Sequence, residues 1–217
     1  MSLKYRILCS AICVLAILDI ARAQVLVLPI HIYNTGVDNS GSILVSGTDL
    51  HYSLVGGSAL ITTSVPGSWL SPGGTSQWLT PTGNGNESHV AGFYTWQTNF
   101  DLSGLNSTTA ILSGRFASDN IGRILLNGVD QGVSNPGVEF LSYTNFSLTN
   151  GFVPGVNTLS FVVENPNVAV FPNPTGLRAE VSGTASALSA PEPGTFALLA
   201  LGGTLAMVYR RRRGDEK

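Results

Sequence analysis

The chain has 217 residues, 43% of them apolar and only 11% charged, with a formal net charge of −2. That balance hides an asymmetry: between Gln24 and Ala190 the basic residues are Arg115, Arg123 and Arg178, set against nine carboxylates, a formal −6. A stretch with no basic surface has nothing with which to displace counterions from phosphates, which excludes nucleic acid as a partner.

At the N-terminus, Lys4 and Arg6 precede an apolar run over 7–18 and an Ala21-Arg22-Ala23 junction. Basic, apolar and small-residue regions in that order predict a secretory signal peptide over 1–23, removed to leave Gln24 first. Both cysteines, Cys9 and Cys13, fall inside it. The exported domain is therefore expected to hold itself by packing, or by packing plus a metal, without disulfides.

Downstream, hydrophobic periodicity places the elements. Tyr94, Trp96, Thr98, Phe100 and Leu102 alternate with Thr95, Gln97, Asn99 and Asp101, the period of a strand with one buried face. Leu159, Phe161 and Val163 alternate with Ser160, Val162 and Glu164, and Leu177, Ala179 and Val181 with Arg178, Glu180 and Ser182. Further strands are expected over 42–46, 53–54, 60–63, 108–116, 123–126 and 140–148. Turn chemistry separates them at Asp38-Asn39-Ser40-Gly41, Ser118-Asp119-Asn120-Ile121-Gly122, Asn127-Gly128, Asn135-Pro136-Gly137 and Pro154-Gly155. No stretch shows helical spacing of useful length, so 24–186 is expected to be one all-β domain, an antiparallel β-sandwich or jelly roll.

The C-terminus has three parts. A linker over 187–193 contains Pro191, Glu192 and Pro193, residues 194–209 are uncharged and largely apolar, and 210–217 begins with Arg210, Arg211, Arg212 and Arg213. As a helix, 194–209 would cover about 24 Å. This falls short of a hydrocarbon core of roughly 30 Å, a deficit that local thinning, Tyr209 at the interface and snorkelling arginines make up. A transmembrane helix is therefore expected over 194–209, with 210–217 as a basic cytoplasmic tail and everything before Pro191 outside.

Pro191, Glu192, Pro193, the apolar segment and Arg210 to Arg213 together resemble the PEP-CTERM sorting signal of Gram-negative bacteria. The resemblance implies an exosortase as processing partner, a precursor anchored in the inner membrane, and a cell-surface or extracellular product associated with exopolysaccharide. A second resemblance covers roughly the half from Tyr94 to Ala185. The run 113–128, with its Asp119-Asn120 turn and Leu126-Asn127-Gly128 hairpin, and the segments 155–163 and 174–181 are similar to galactose-binding-like jelly rolls.

Sugars are recognised by aromatic faces laid on their CH surfaces, with polar side chains on the hydroxyls. Trp69 and Trp78 stand in a Ser/Pro/Gly-rich stretch where exposure is expected, and are the candidate carbohydrate contacts. Trp96 falls on the strand face read as buried. Asp119 and Asn120 offer hard oxygens to a structural calcium, against the reading of the same pair as an Asx-turn between strands. No other cofactor is expected. His31, His51 and His89 are dispersed, and no zinc-protease, nucleophile-elbow, phosphate-loop or dithiol motif occurs. A non-catalytic, exopolysaccharide-binding surface protein is thus the leading expectation. A secreted enzyme acting on envelope polysaccharide and a structural surface protein without ligand are the alternatives.

Overall fold

The alternation in the sequence becomes two antiparallel sheets. The computed structural model describes residues 25–135, 140–167 and 172–188 together with Gly202. The expected signal peptide, the Pro-Glu-Pro motif, the membrane helix and the basic tail lie outside the described residues. Among those described, no helix is long and apolar enough to cross a membrane.

Residues 27–188 form one unit. Its strands are β1 (Val27–Pro29), β2 (Gly47–Thr48), β3 (Ser53–Leu54), β4 (Leu60–Ile61), β5 (Leu79–Thr80), β6 (Gly92–Asp101), β7 (Ile111–Asp119), β8 (Ile121–Leu126), β9 (Val129–Ser134), β10 (Thr144–Leu148), β11 (Val156–Asn165) and β12 (Gly176–Ser186). The first sheet runs β10-β7-β12-β5-β4-β2, with β1 also paired to β12. The second runs β3-β6-β11-β8-β9.

Trp96, Thr98 and Phe100 of β6 and Leu159, Phe161 and Val163 of β11 are buried, as the period of two requires. They meet Phe116 of β7 and Phe146 of β10 from the facing sheet. The Phe116 and Phe161 rings lie 5.4 Å apart and Phe146 and Phe161 6.2 Å, edge contacts that add to the area buried. At the β8–β9 turn, Asn127 (φ 52°) and Gly128 (φ 80°) both take positive φ, which a two-residue hairpin with the right twist demands.

Several expected boundaries moved. The strand expected over 42–46 reduces to a single bridge between Val37 and Ile43, and pairing begins instead at Gly47. The Asp38 side chain explains this: its Oδ1 accepts from the Ser40 and Ser42 amides (2.8 and 2.9 Å), competing with a ladder there. The segment 108–116 opens with a 3-10 turn over Ser107–Thr109, capped by Asn106, before β7 starts. The 140–148 strand shortens to β10. Four strands, β1, β2, β5 and β9, carry too little alternation to be read.

The register orients the molecule. At one end β7 delivers Asp119 opposite Gly176, the first residue of β12. At the other, Val27 pairs with Ser186, and the Leu188 amide donates to the Gly104 carbonyl (3.0 Å). The eleven residues of β12 thus separate the two ends by about 35 Å.

Candidate functional site

Three of the four residues expected to contact a ligand or metal meet at the Asp119 end. A cleft of about 450 Å³ there is lined by Trp69, Asp119, Asn120, Asn86, Phe140 and Asn173, with Pro66, Pro172 and Pro174 among its walls. Apolar walls with a few convergent polar groups are the usual make-up of a small-ligand site, and this volume lies within the usual range.

The cleft exists because a polar segment folds over the sheet. Residues 65–78 own few apolar side chains, and Val65, Trp69, Leu70 and Trp78 sink together against Ala117, Phe140 and Tyr143 as a second, smaller core. This corrects the expected exposure of the two tryptophans: Trp69 is 4% exposed and Trp78 fully buried. Burial of two indoles outweighs the polar character of their neighbours, because each also finds a partner for its N–H. Trp78 donates Nε1–H to the Leu70 carbonyl (2.8 Å), which holds it inward and away from the cleft lining. Trp69 packs on Trp78 with ring centroids 4.4 Å apart, reaches the cleft, and donates Nε1–H to Asp119 Oδ2 at 2.7 Å. Two glycines make room for it. A Cβ on Gly176 would lie 2.7 Å from Trp69 Cη2, and one on Gly85 3.2 Å from Trp69 Cζ3.

The Asp119-Asn120 step is pinned by residues that no sequence pattern singles out. Thr175 Oγ1 donates to the Asp119 carbonyl (2.7 Å), and Ser118 Oγ donates to the Asn120 carbonyl (2.7 Å). Fully buried Asn135 donates Nδ2–H to Ser118 Oγ (2.8 Å) and accepts from the Gly122 amide. Opposite, Asn86 donates to Ser64 Oγ (2.6 Å), and the His89 amide donates to the Asn173 carbonyl (2.9 Å), tying both loops of that wall.

Asp119 is the electrostatic centre of the cleft. Burial pushes its carboxyl up and the Trp69 hydrogen bond pulls it partly back, leaving it at about 6. Beside it, Asn120 Oδ1 is a buried acceptor with no partner among the described residues. Calcium takes about six to eight oxygens; of this pair's side-chain oxygens, Asp119 Oδ2 already accepts the Trp69 N–H and Asn120 Oδ1 has no partner among the described residues. Among the described residues, no group of three or more His, Cys, Asp or Glu gathers as a metal cluster.

A second polar cluster lies on the outer face of the first sheet. Glu180 accepts from Thr75 Oγ1 (2.7 Å), Ser76 Oγ (2.8 Å), Tyr143 OH (2.9 Å) and Arg115 Nε (2.7 Å). Burial raises the Glu180 carboxyl, but these donors, Arg115 first, outweigh it and bring it down to about 2. Arg178, which alternation placed outward, is only 2% exposed. It is roofed by the 65–78 segment, where it bonds Ser76 Oγ (2.8 Å) and the Ser71 carbonyl (2.5 Å).

The histidines stay apart. The His51 ring stacks on Tyr33 with centroids 3.7 Å apart, and its amide, not its ring, meets Asp49 Oδ1 (2.8 Å). Both ring nitrogens of His89 are buried without partners among the described residues.

Fold and cleft together define an all-β sandwich ectodomain. Residues 189–213, spanning Pro191, Glu192, Pro193 and the four arginines, match the PEP-CTERM protein-sorting motif. The chain is a carrier of that motif: an exported protein, anchored at the membrane before exosortase processing. No curated protein matches the sequence.

Solved structures similar to it include CBM35 from Paenibacillus barcinonensis, at 16% identity over 61% of this chain and 92% of its own, with a TM-score of 0.33. Another is the CBM36-1 domain of a multidomain xylanase from the hindgut metagenome of Trinervitermes trinervoides, at 12% identity over 76% of this chain and 99% of its own, TM-score 0.32. A third is a family 29 carbohydrate-binding module, at 10% identity over 73% and 88%, TM-score 0.35. Likenesses this distant transfer neither ligand nor chemistry to this chain.

Proposed function

We propose that the domain is a non-catalytic carbohydrate-binding ectodomain, exported and sorted by its C-terminal signal to take part in an exopolysaccharide matrix. The observation that carries this reading is the meeting of Trp69, Asp119 and Asn120 in one cleft with Phe140, Asn86 and Asn173. The apolar edges suit the CH surface of a sugar ring, and the two amides, Asn120 and the Asp119 carboxyl suit its hydroxyls. A retaining or inverting glycosidase works with a pair of carboxyl groups. Among the described residues lining this cleft, Asp119 is the one carboxyl.

Polysaccharide pull-down and glycan arrays on the Gln24 to Ala190 portion test the reading. Retention on at least one neutral polymer, weakened by Asp119→Ala or Asn120→Ala, is the expected result. Failure to hold any polymer leaves a structural surface protein without ligand. Hydrolysis abolished by Asp119→Asn makes the domain an enzyme.

A further inference from the structure

The end of the sandwich opposite the cleft is where the chain leaves toward residues 189–213, and it exposes apolar side chains. Val27, Ile111, Val129, Val153, Val156 and Leu188 are all exposed there. The register puts them at the same end of their strands, in the first sheet Val27 opposite Ser186 and Ile111 opposite Thr184, in the second Val129 opposite Leu126 and Val156 opposite Asp101. The Leu102 amide on the Gly155 carbonyl (2.9 Å) and the Leu188 amide on the Gly104 carbonyl (3.0 Å) join the loops of the two sheets at this end. Asp101 is the charged residue at this end; Asp130, next to Val129, is paired with Arg123 4.0 Å away, while Arg115 lies in mid β7 and Arg178 toward the cleft. The cleft end also shows apolar groups, among them Phe93, but there the Arg123 guanidinium lies over the ring, 5.6 Å from its centroid.

The geometry points to a membrane-docking surface: before processing, the Val27/Val153/Val156 end of the sandwich rests on the outer face of the bilayer and the cleft faces away from it. The length of chain beyond Leu188 names the occupant. Five residues, 189–193, separate Leu188 from the apolar segment, and fully extended they reach at most about 18 Å. So short a leash keeps the exposed valines within reach of the headgroup layer for as long as the tail is anchored. Exposed apolar side chains at the end nearest the anchor are in position to meet the headgroup layer. The domain has no lysine and Arg123 is paired with Asp130, so attachment comes from apolar partition and needs no anionic lipid. Exosortase cleavage removes the leash and with it the high local concentration of lipid, so docking is a property of the precursor.

The test uses the full chain with Cys9 and Cys13 replaced by serine, reconstituted in phosphatidylethanolamine/phosphatidylglycerol vesicles. An environment-sensitive dye is placed on Ser103→Cys at the exit end or on Glu87→Cys at the cleft end, and the vesicles carry brominated lipid. Dye at position 103 quenched several-fold more than dye at 87, with the difference lost in Val129→Ser/Val153→Ser/Val156→Thr and unchanged on replacing phosphatidylglycerol by a neutral lipid, is the expected result. Equal quenching at both positions, or none at either, overturns docking. So does quenching at 103 that disappears when the protein is diluted within the vesicles, which assigns the surface to a second copy of the chain. Because sugar retention is not measured, failure here leaves the carbohydrate reading standing, and the reverse holds.

Discussion

Trp69 and Asp119, fifty positions apart in sequence, are joined by a 2.7 Å hydrogen bond from Nε1–H to Oδ2 inside the small second core. One side chain thereby serves both the packing of the 65–78 segment and the lining of the cleft. Asp119 is held there at a cost, because a carboxylate loses its hydration when buried.

That cost sets a pH dependence. The folded Asp119 titrates at about 6 against an ordinary 3.8, so the native state holds this proton more tightly than the unfolded chain. Its contribution is fully present below about pH 4 and is lost as pH rises through 6, on the order of 3 kcal/mol in all. Asp119→Asn keeps an acceptor for the Trp69 N–H and removes the titration. We expect its melting temperature to exceed that of the parent at pH 7.5 and to converge with it near pH 4. Parallel melting curves at every pH would refute this.

Glu180 acts in the opposite sense. Its carboxyl is depressed to about 2 against 4.5, so its stabilisation is present above about pH 4.5 and fades as pH falls toward 2. Glu180→Ala strips four donors of their acceptor and leaves buried Arg178 without the carboxylate 3.9 Å away. A loss of about 3 kcal/mol or more is expected at neutral pH by urea denaturation. A loss below about 0.5 kcal/mol would class the cluster with ordinary surface ion pairs.

Gly176→Ala is expected to damage the cleft and the fold together. The new methyl would sit 2.7 and 2.9 Å from two Trp69 ring carbons and 3.0 Å from the Leu79 carbonyl, leaving the indole to move. Overpacking of this kind costs about 1–3 kcal/mol. The measurement is thermal unfolding with tryptophan fluorescence, and an unshifted emission spectrum would show that Trp69 has not moved.

Chelation should change nothing. With Asp119 engaged by Trp69, EDTA is expected to leave the melting temperature of the domain within error, whereas a fall reversed by added calcium would restore a metal to the Asp119-Asn120 turn.

Alanine at Pro191, Glu192 and Pro193 should leave a longer, membrane-held precursor detectable by immunoblot of cell fractions. Normal release would separate the 189–213 motif from processing.

Much of this architecture is legible in the chain itself. The alternations around Trp96, Phe161 and Ala179 give the three central strands because those residues enter the core, although Ser160, Val162 and Arg178 on the opposite faces are covered as well, and Asn127-Gly128 gives its hairpin because positive φ is confined to few residues. The two-residue strands β2 and β5 leave no such trace. Arg178 and Trp78 defeat local reasoning for a shared reason: what buries them is the 65–78 segment, about a hundred residues from Arg178, and composition alone reads that segment as a solvated loop. The cleft was half visible. Trp69, Asp119 and Asn120 stood out by chemistry, but their meeting depends on Thr175, Ser118 and Asn135, ordinary polar residues whose role appears only with the register.

The pairing of β12 with both β7 and β1 sets when the first sheet can close. Its last residues pair with the first of the domain, some 160 positions earlier, whereas the second sheet, β3-β6-β11-β8-β9, takes nothing from it. The second sheet can therefore pair before β12 is made, but one wall of the core stays incomplete until the last strand arrives, and pairing across such a separation is slow. Closure of the sandwich waits on residues that directly precede the sorting motif at 189–213.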